Sequence, residues 1–137
     1  MKAKLKAECS KEKLKYIRGF VKESIEILEA TDLEKEQIVL AIDEVCANAI
    51  IHGNQTNDTK QIILEIDVTE TSLKVDISDI GLYDPEELAG RNKDIADIVK
   101  DKQKGGMGLK LVYSIMDNVE YYIKNNMSIC SLTKVLK

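Results

Sequence analysis

Apolar residues recur along this chain with two different periods, and the points where one period gives way to the other mark its elements. Lys2 to Glu8 alternates weakly, which predicts an edge strand. Ser10 stands where an N-cap would open a helix, and Leu14, Ile17, Val21, Ile25 and Leu28 then recur at steps of three and four, the stripe of an amphipathic helix packed by one face. Thr31 and Glu34 have the spacing of a capping box, in which hydroxyl and carboxylate each satisfy an orphan backbone N–H at a helix start. The second helix that begins there carries Ile38, Ile42, Val45 and Ala49 on its core face, runs to about Ile51 and ends near Gly53.

Period two takes over next. Ile62, Leu64, Ile66 and Val68 alternate with Ile63, Glu65 and Asp67, and Leu73, Val75 and Ile77 alternate with Lys74 and Asp76. Two strands joined through Thr69 to Ser72 therefore form an antiparallel hairpin. From Glu86 to Lys104 both periods fade into charge, with only Ile95 to Val99 able to make a helical turn or two, and a mobile loop is expected. Leu109, Val112, Ile115 and Met116 resume the helical step; Val119 to Lys124, a turn at Asn125 and Asn126, and Met127 to Leu136 read as a second hairpin. The expected fold class is α+β, a two-layer α/β sandwich with helices packed on one face of a mixed, mainly antiparallel sheet. A chain of 137 residues without internal repeat or low-complexity linker is expected to be one domain, 1–137.

Composition narrows the function. With 44% hydrophobic and 32% charged residues the chain can bury a core, which argues against disorder. A net charge of -4 and a pI near 5.1 give no dense basic face, so no direct nucleic-acid partner is expected. Cys9, Cys46 and Cys130 lie far apart with no Cys-x-x-Cys pair, as expected of buried, reduced thiols in the cytosol. No apolar run approaches ~18 residues and Met1 to Lys6 lacks a signal-peptide core, so a cytoplasmic protein without a membrane span is expected.

Three local patterns bear on chemistry. Glu44 and Asn48, four residues apart, share one side of the second helix, with Ala41 and His52 extending the stripe among apolar neighbours. A carboxylate in such surroundings is explained by a metal ion, a polar ligand or an internal ion pair, or else the stripe is simply solvated. Their oxygens are hard ligands of the kind magnesium takes beside phosphates. Asp79 has the parity of Leu73, Val75 and Ile77 and so points to the core face if the strand persists, where it must be hydrogen-bonded or ligand-bound. Gly81 would let backbone approach a flat ligand, and an ionised carboxylate suits an exocyclic amine; Asp79 to Gly81 also fits an ordinary strand-ending turn. Gly105, Gly106, Met107 and Gly108 precede a helix and offer bare N–H groups to a phosphate, with Lys100, Lys102 and Lys104 upstream; taken alone, so short a glycine pattern reads first as a flexible hinge. In order along the chain, the three describe a nucleotide.

These residues carry a family resemblance. The stretch Glu44 to Gly53 resembles the N-box of the superfamily shared by gyrase-type ATPases, heat-shock chaperones, histidine kinases and mismatch-repair ATPases. Asp79-Ile80-Gly81 with Asp84-Pro85 resembles its first glycine box, and Gly105 to Leu109 its second; the small bacterial anti-sigma-factor serine/threonine-protein kinases look most similar. The resemblance implies ATP and Mg2+ as cofactors, Asn48 as magnesium ligand, Glu44 as catalytic base or orienting group and Asp79 as receiver of the adenine amine. It implies that Gly81, Lys104, Gly105, Gly106, Met107 and Gly108 surround base and phosphates, with residues 86–104 as the lid. It also implies an anti-sigma-factor antagonist and a sigma factor as partners, and a homodimer paired through the first helix or a sheet edge. Two departures stand out: Leu82-Tyr83 replaces a second glycine, and Lys104 stands where an arginine often precedes the second glycine box. An ATP-gated binding module without transfer is the alternative. A stand-alone histidine kinase is disfavoured, because the one histidine, His52, lies within the N-box-like stretch.

Overall fold

Strand β1 (Lys2–Glu8) leads through a 3-10 turn at Lys11–Lys13 into α1 (Leu14–Ser24), followed by α2 (Asp32–Asn48). Then come β2 (Gln61–Val68), β3 (Ser72–Ile80), α3 (Gly108–Ile115), β4 (Asn118–Lys124) and β5 (Met127–Val135). The structure, a computed structural model, describes residues 1–50, 61–80, 108–125 and 127–136. One five-stranded sheet has the order β1-β2-β3-β5-β4, with β1 at an edge as expected. All four pairings are antiparallel.

Register converts the alternation of each strand into a shared face. Leu5, Leu64, Ile77, Cys130 and Tyr121 stand opposite one another across the whole sheet, and all are buried. The helices cover this face: Ile17 and Val21 of α1, Ile38, Ile42 and Val45 of α2, and Val112 of α3 join the same core. The next row across the sheet, Lys4, Glu65, Asp76, Ser131 and Glu120, lies on the other face and is polar, as a half-covered antiparallel sheet requires.

Turn chemistry closes both hairpins. The Thr69 hydroxyl oxygen accepts the backbone N–H groups of Thr71 at 3.2 Å and Ser72 at 3.0 Å, holding the β2–β3 turn. Asn125, between β4 and β5, has φ 52, a left-handed conformation that Asn tolerates better than most residues. Ser10 does precede helical backbone, but it opens the 3-10 turn and its side chain makes no capping bond. The first apolar stripe outlasts its helix: α1 ends at Ser24, yet Ile25 and Leu28 remain buried in the turns beyond it.

The capping box of α2 forms as its spacing predicts. Glu34 N–H donates to Thr31 Oγ1 and Thr31 N–H donates to Glu34 Oε1, both at 3.1 Å. Thr31→Ala should cost about 1 kcal/mol in chemical denaturation, the usual loss for an N-cap. The backbone bond to Thr31 is the main reason the Glu34 carboxyl titrates below its ordinary range. A lowered folded value means stability that is complete above the unfolded glutamate range and lost as pH falls through the folded value. The deficit of Glu34→Gln relative to wild type should therefore be present at neutral pH and vanish in acid, as measured by paired urea titrations.

Candidate functional site

An ion pair that spacing did not reveal marks the flank of α2 that faces α1. Arg18 of α1 reaches Asp43 with Nε at 3.3 Å and Nη2 at 3.1 Å from Oδ1, and with Nη2 at 3.2 Å from Oδ2. That grip turns Asp43 toward α1. Glu44 follows ~100° further round the helix and Asn48 ~40° beyond Glu44, so both lie away from the α1 flank. The helix also packs against α3, which Gly108 opens.

Glu44 and Asn48 are half-buried, neither sealed in the core nor fully solvated, while Ala41 on the same stripe is completely buried. The α-helix stops at Asn48, and Ala49 and Ile50 continue as a π-helical turn, a feature frequent at functional sites. His52 lies outside the described residues.

Asp79 is on the helix-covered face, where its parity put it. It shares a row with Ala7, Ile62, Ser128 and Ile123, directly between Ile62 and Ser128, and is only 2% exposed. The residue has interactions within the protein, and a carboxylate's two oxygens together offer more acceptor sites than one partner fills. Burial raises the Cys46 thiol well above its ordinary pKa, with further upward pressure from the Asp79 and Asp43 carboxylates and from Cys130 and Cys9. Cys46 lies between Glu44 and Asn48 in α2 but on the buried side of the helix, ~160° round from each. All three cysteines are buried and Cys46 is held neutral, which removes it as a nucleophile. Burial, then Cys130, likewise pushes the Tyr121 phenol up and keeps it protonated.

Ser128 is the residue that the sequence reading missed. It is 4% exposed and faces Asp79 across the β3–β5 pair, which puts their Cβ atoms ~4.5–5.5 Å apart. The available signal was parity with Cys130 and Leu132. It was masked because Ser128 to Leu132 is buried without interruption, on both faces of the sheet.

Gly108 is the first residue of α3. Gly81, Lys104, Gly105, Gly106 and Met107 lie outside the described residues, as does the 86–104 stretch expected to form a lid. Among the described residues no group of three or more His, Cys, Asp or Glu is placed to hold a metal ion. Magnesium beside phosphates does not require one: it keeps several waters and takes one or two protein oxygens, and Asn48 with Glu44 supplies such a donor set. A buried carboxylate beside a hydroxyl can read an amino group and an adjacent ring nitrogen. The hard oxygens of Glu44 and Asn48 on α2 suit a cation beside phosphates.

Comparison with known proteins identifies the family. Residues 7–134 match the family described as Histidine kinase-like ATPase domain. An anti-sigma F factor of Clostridium perfringens (strain SM101) is 28% identical over 112 residues, covering 79% of each chain. The serine-protein kinase RsbW of Staphylococcus aureus (strain JH9) is 32% identical over 114 residues, 79% of this chain and 70% of that one. The crystal structure of the RsbU and RsbW domains of a Mycobacterium tuberculosis protein superposes with a TM-score of 0.68 at 15% identity. It covers 99% of this chain, which spans 32% of that longer one, and the likeness is one of fold. With a match running over nearly its whole length, this chain belongs to the histidine kinase-like ATPase domain family.

Proposed function

We propose that this chain is a cytoplasmic ATP-binding regulator. In this reading it is a serine/threonine-protein kinase that phosphorylates a small anti-sigma-factor antagonist, holds a sigma factor when that antagonist is absent, and acts as a pair of copies. The observation that carries the reading is Asp79, a buried acidic residue on the helix-covered face near the end of β3, directly beside Ser128. The names of the curated relatives, anti-sigma F factor and serine-protein kinase, supply the substrate and partner class.

Each residue then has a task. Asp79 accepts the exocyclic amine of adenine, and the Ser128 hydroxyl beside it is available to the ring nitrogen. Asn48 offers its amide oxygen to magnesium, which when bound neutralises charge on the phosphates. Glu44, one turn from Asn48, takes the proton of the attacking serine hydroxyl. Gly81, Lys104, Gly105, Gly106, Met107 and Gly108 enclose base and phosphates, a role that rests on the family resemblance. Catalysis of this type is mainly positioning and electrostatic stabilisation, with modest acid–base help.

Lys104 favours a second reading, an ATP-gated module without transfer, because an ammonium cannot make the bidentate phosphate contact of a guanidinium. One experiment separates the two. The chain is used to capture partners with and without Mg-ATP, and captured proteins are incubated with labelled ATP. Label on a partner serine, lost in Glu44→Gln, is the expected result. Nucleotide-dependent capture without label selects the gated module, and failure to bind ATP at all removes both.

A further inference from the structure

Among the described strand residues, the helix-covered face of the sheet carries charge at two positions, Asp79 and Lys134. Lys134 has the parity of Ser128, Cys130 and Leu132 on β5, is half-buried and stands opposite Leu73 of β3. Its place on the strand is ~20 Å from Ser128, so it lies at the far end of the sheet from Asp79. The proposed base accounts for Asp79. An ammonium brought under the helices needs a reason of its own.

The end of α3 supplies one. Lys134 Nζ donates at 2.9 Å to the carbonyl oxygen of Ile115, the last residue of that helix. A carbonyl at this position has no partner within its helix, and it lies where the peptide dipoles gather negative charge; an ammonium answers both. Two further bonds tie the same end to β5: Asp117 N–H donates to the Thr133 carbonyl at 2.9 Å, and Val135 N–H donates to Asp117 Oδ2 at 2.6 Å. With only eight residues, α3 is too short to be stable alone, so its placement depends on these anchors and on Val112 and Ile115 in the core. Its other end begins at Gly108, where first-turn N–H groups are not used by the helix.

We propose that Lys134 is a positioning residue for the phosphates: by holding and neutralising the C-terminal end of α3, it fixes how the N-terminal end meets them. The inference rests on the proposed nucleotide reading, in which the Gly108 end of α3 receives phosphate and Asp79 receives the base. Lys134 then acts on one half of the nucleotide and not on the other.

Mg-ATP and adenosine separate the two halves. Calorimetry on the full chain should show Lys134→Met weakening Mg-ATP about ten-fold and adenosine less than about two-fold, so that the ratio of the two affinities falls. Lys134→Arg, which keeps charge and donors, should restore the ratio. A mere loss of stability scales both affinities alike and cancels in the ratio. Thr31→Ala, which removes the hydroxyl that caps α2, provides that control and should leave the ratio at its wild-type value. A ratio unmoved by Lys134→Met, not restored by Lys134→Arg, or moved as much by Thr31→Ala, overturns the role given to Lys134 and leaves the nucleotide reading standing. Wild type that binds neither ligand overturns the nucleotide reading itself, and this inference with it.

Discussion

Asp79→Asn should weaken ATP binding by roughly 10- to 100-fold while the protein stays folded. Hydrogen bonds to a charged group contribute about 1.5–3 kcal/mol, which corresponds to that range. The two side chains have nearly the same shape, so the packing between Ile62 and Ser128 is retained. What changes is polarity: the carboxylate presents only acceptors, whereas the amide either offers a donor to the incoming amine or keeps a single, uncharged acceptor. Isothermal calorimetry with Mg-ATP, paired with a melting curve, checks both the affinity and the fold. Unchanged affinity in a folded variant would show that the base binds elsewhere.

Glu44→Gln should separate chemistry from binding. General-base assistance contributes ~10²–10⁴-fold, so phosphoryl transfer to the captured partner should fall by that factor while ATP affinity stays near wild type. The adjacent Asp43 provides an internal control. It is held by Arg18, the pair is partly exposed at 42% and 19%, and such pairs contribute ~0–1 kcal/mol. Asp43→Asn should therefore lower stability slightly and leave transfer intact. Equal loss of transfer in both variants would mean that the acidic pair acts by positioning α2, and the role given to Glu44 would fail.

Legibility followed the range of the interaction. The capping box at Thr31 and Glu34, the Thr69–Ser72 turn and the stripes of α1 and α2 all involve residues within a few positions of one another, where local physics leaves a periodic trace. The parity of Asp79 was legible for the same reason, because a strand has only two sides. The Arg18–Asp43 grip was not: the residues are 25 positions apart, and each alone reads as an ordinary surface charge. Nor was the end of α2, where α-helix passes into a π-helical turn inside an apolar stretch whose periodicity hardly changes.

By itself, then, the order of residues determined the elements, the face each one buries and the motif residues that mark the family. Only the tertiary structure decided the neighbours. Inserting β5 between β3 and β4 places Ser128 beside Asp79 and leaves β1 and β4 as the two edges. Periodicity is set by each residue's surroundings within its own strand or helix, whereas strand order depends on contacts between segments far apart along the chain, and these leave no local repeat to read.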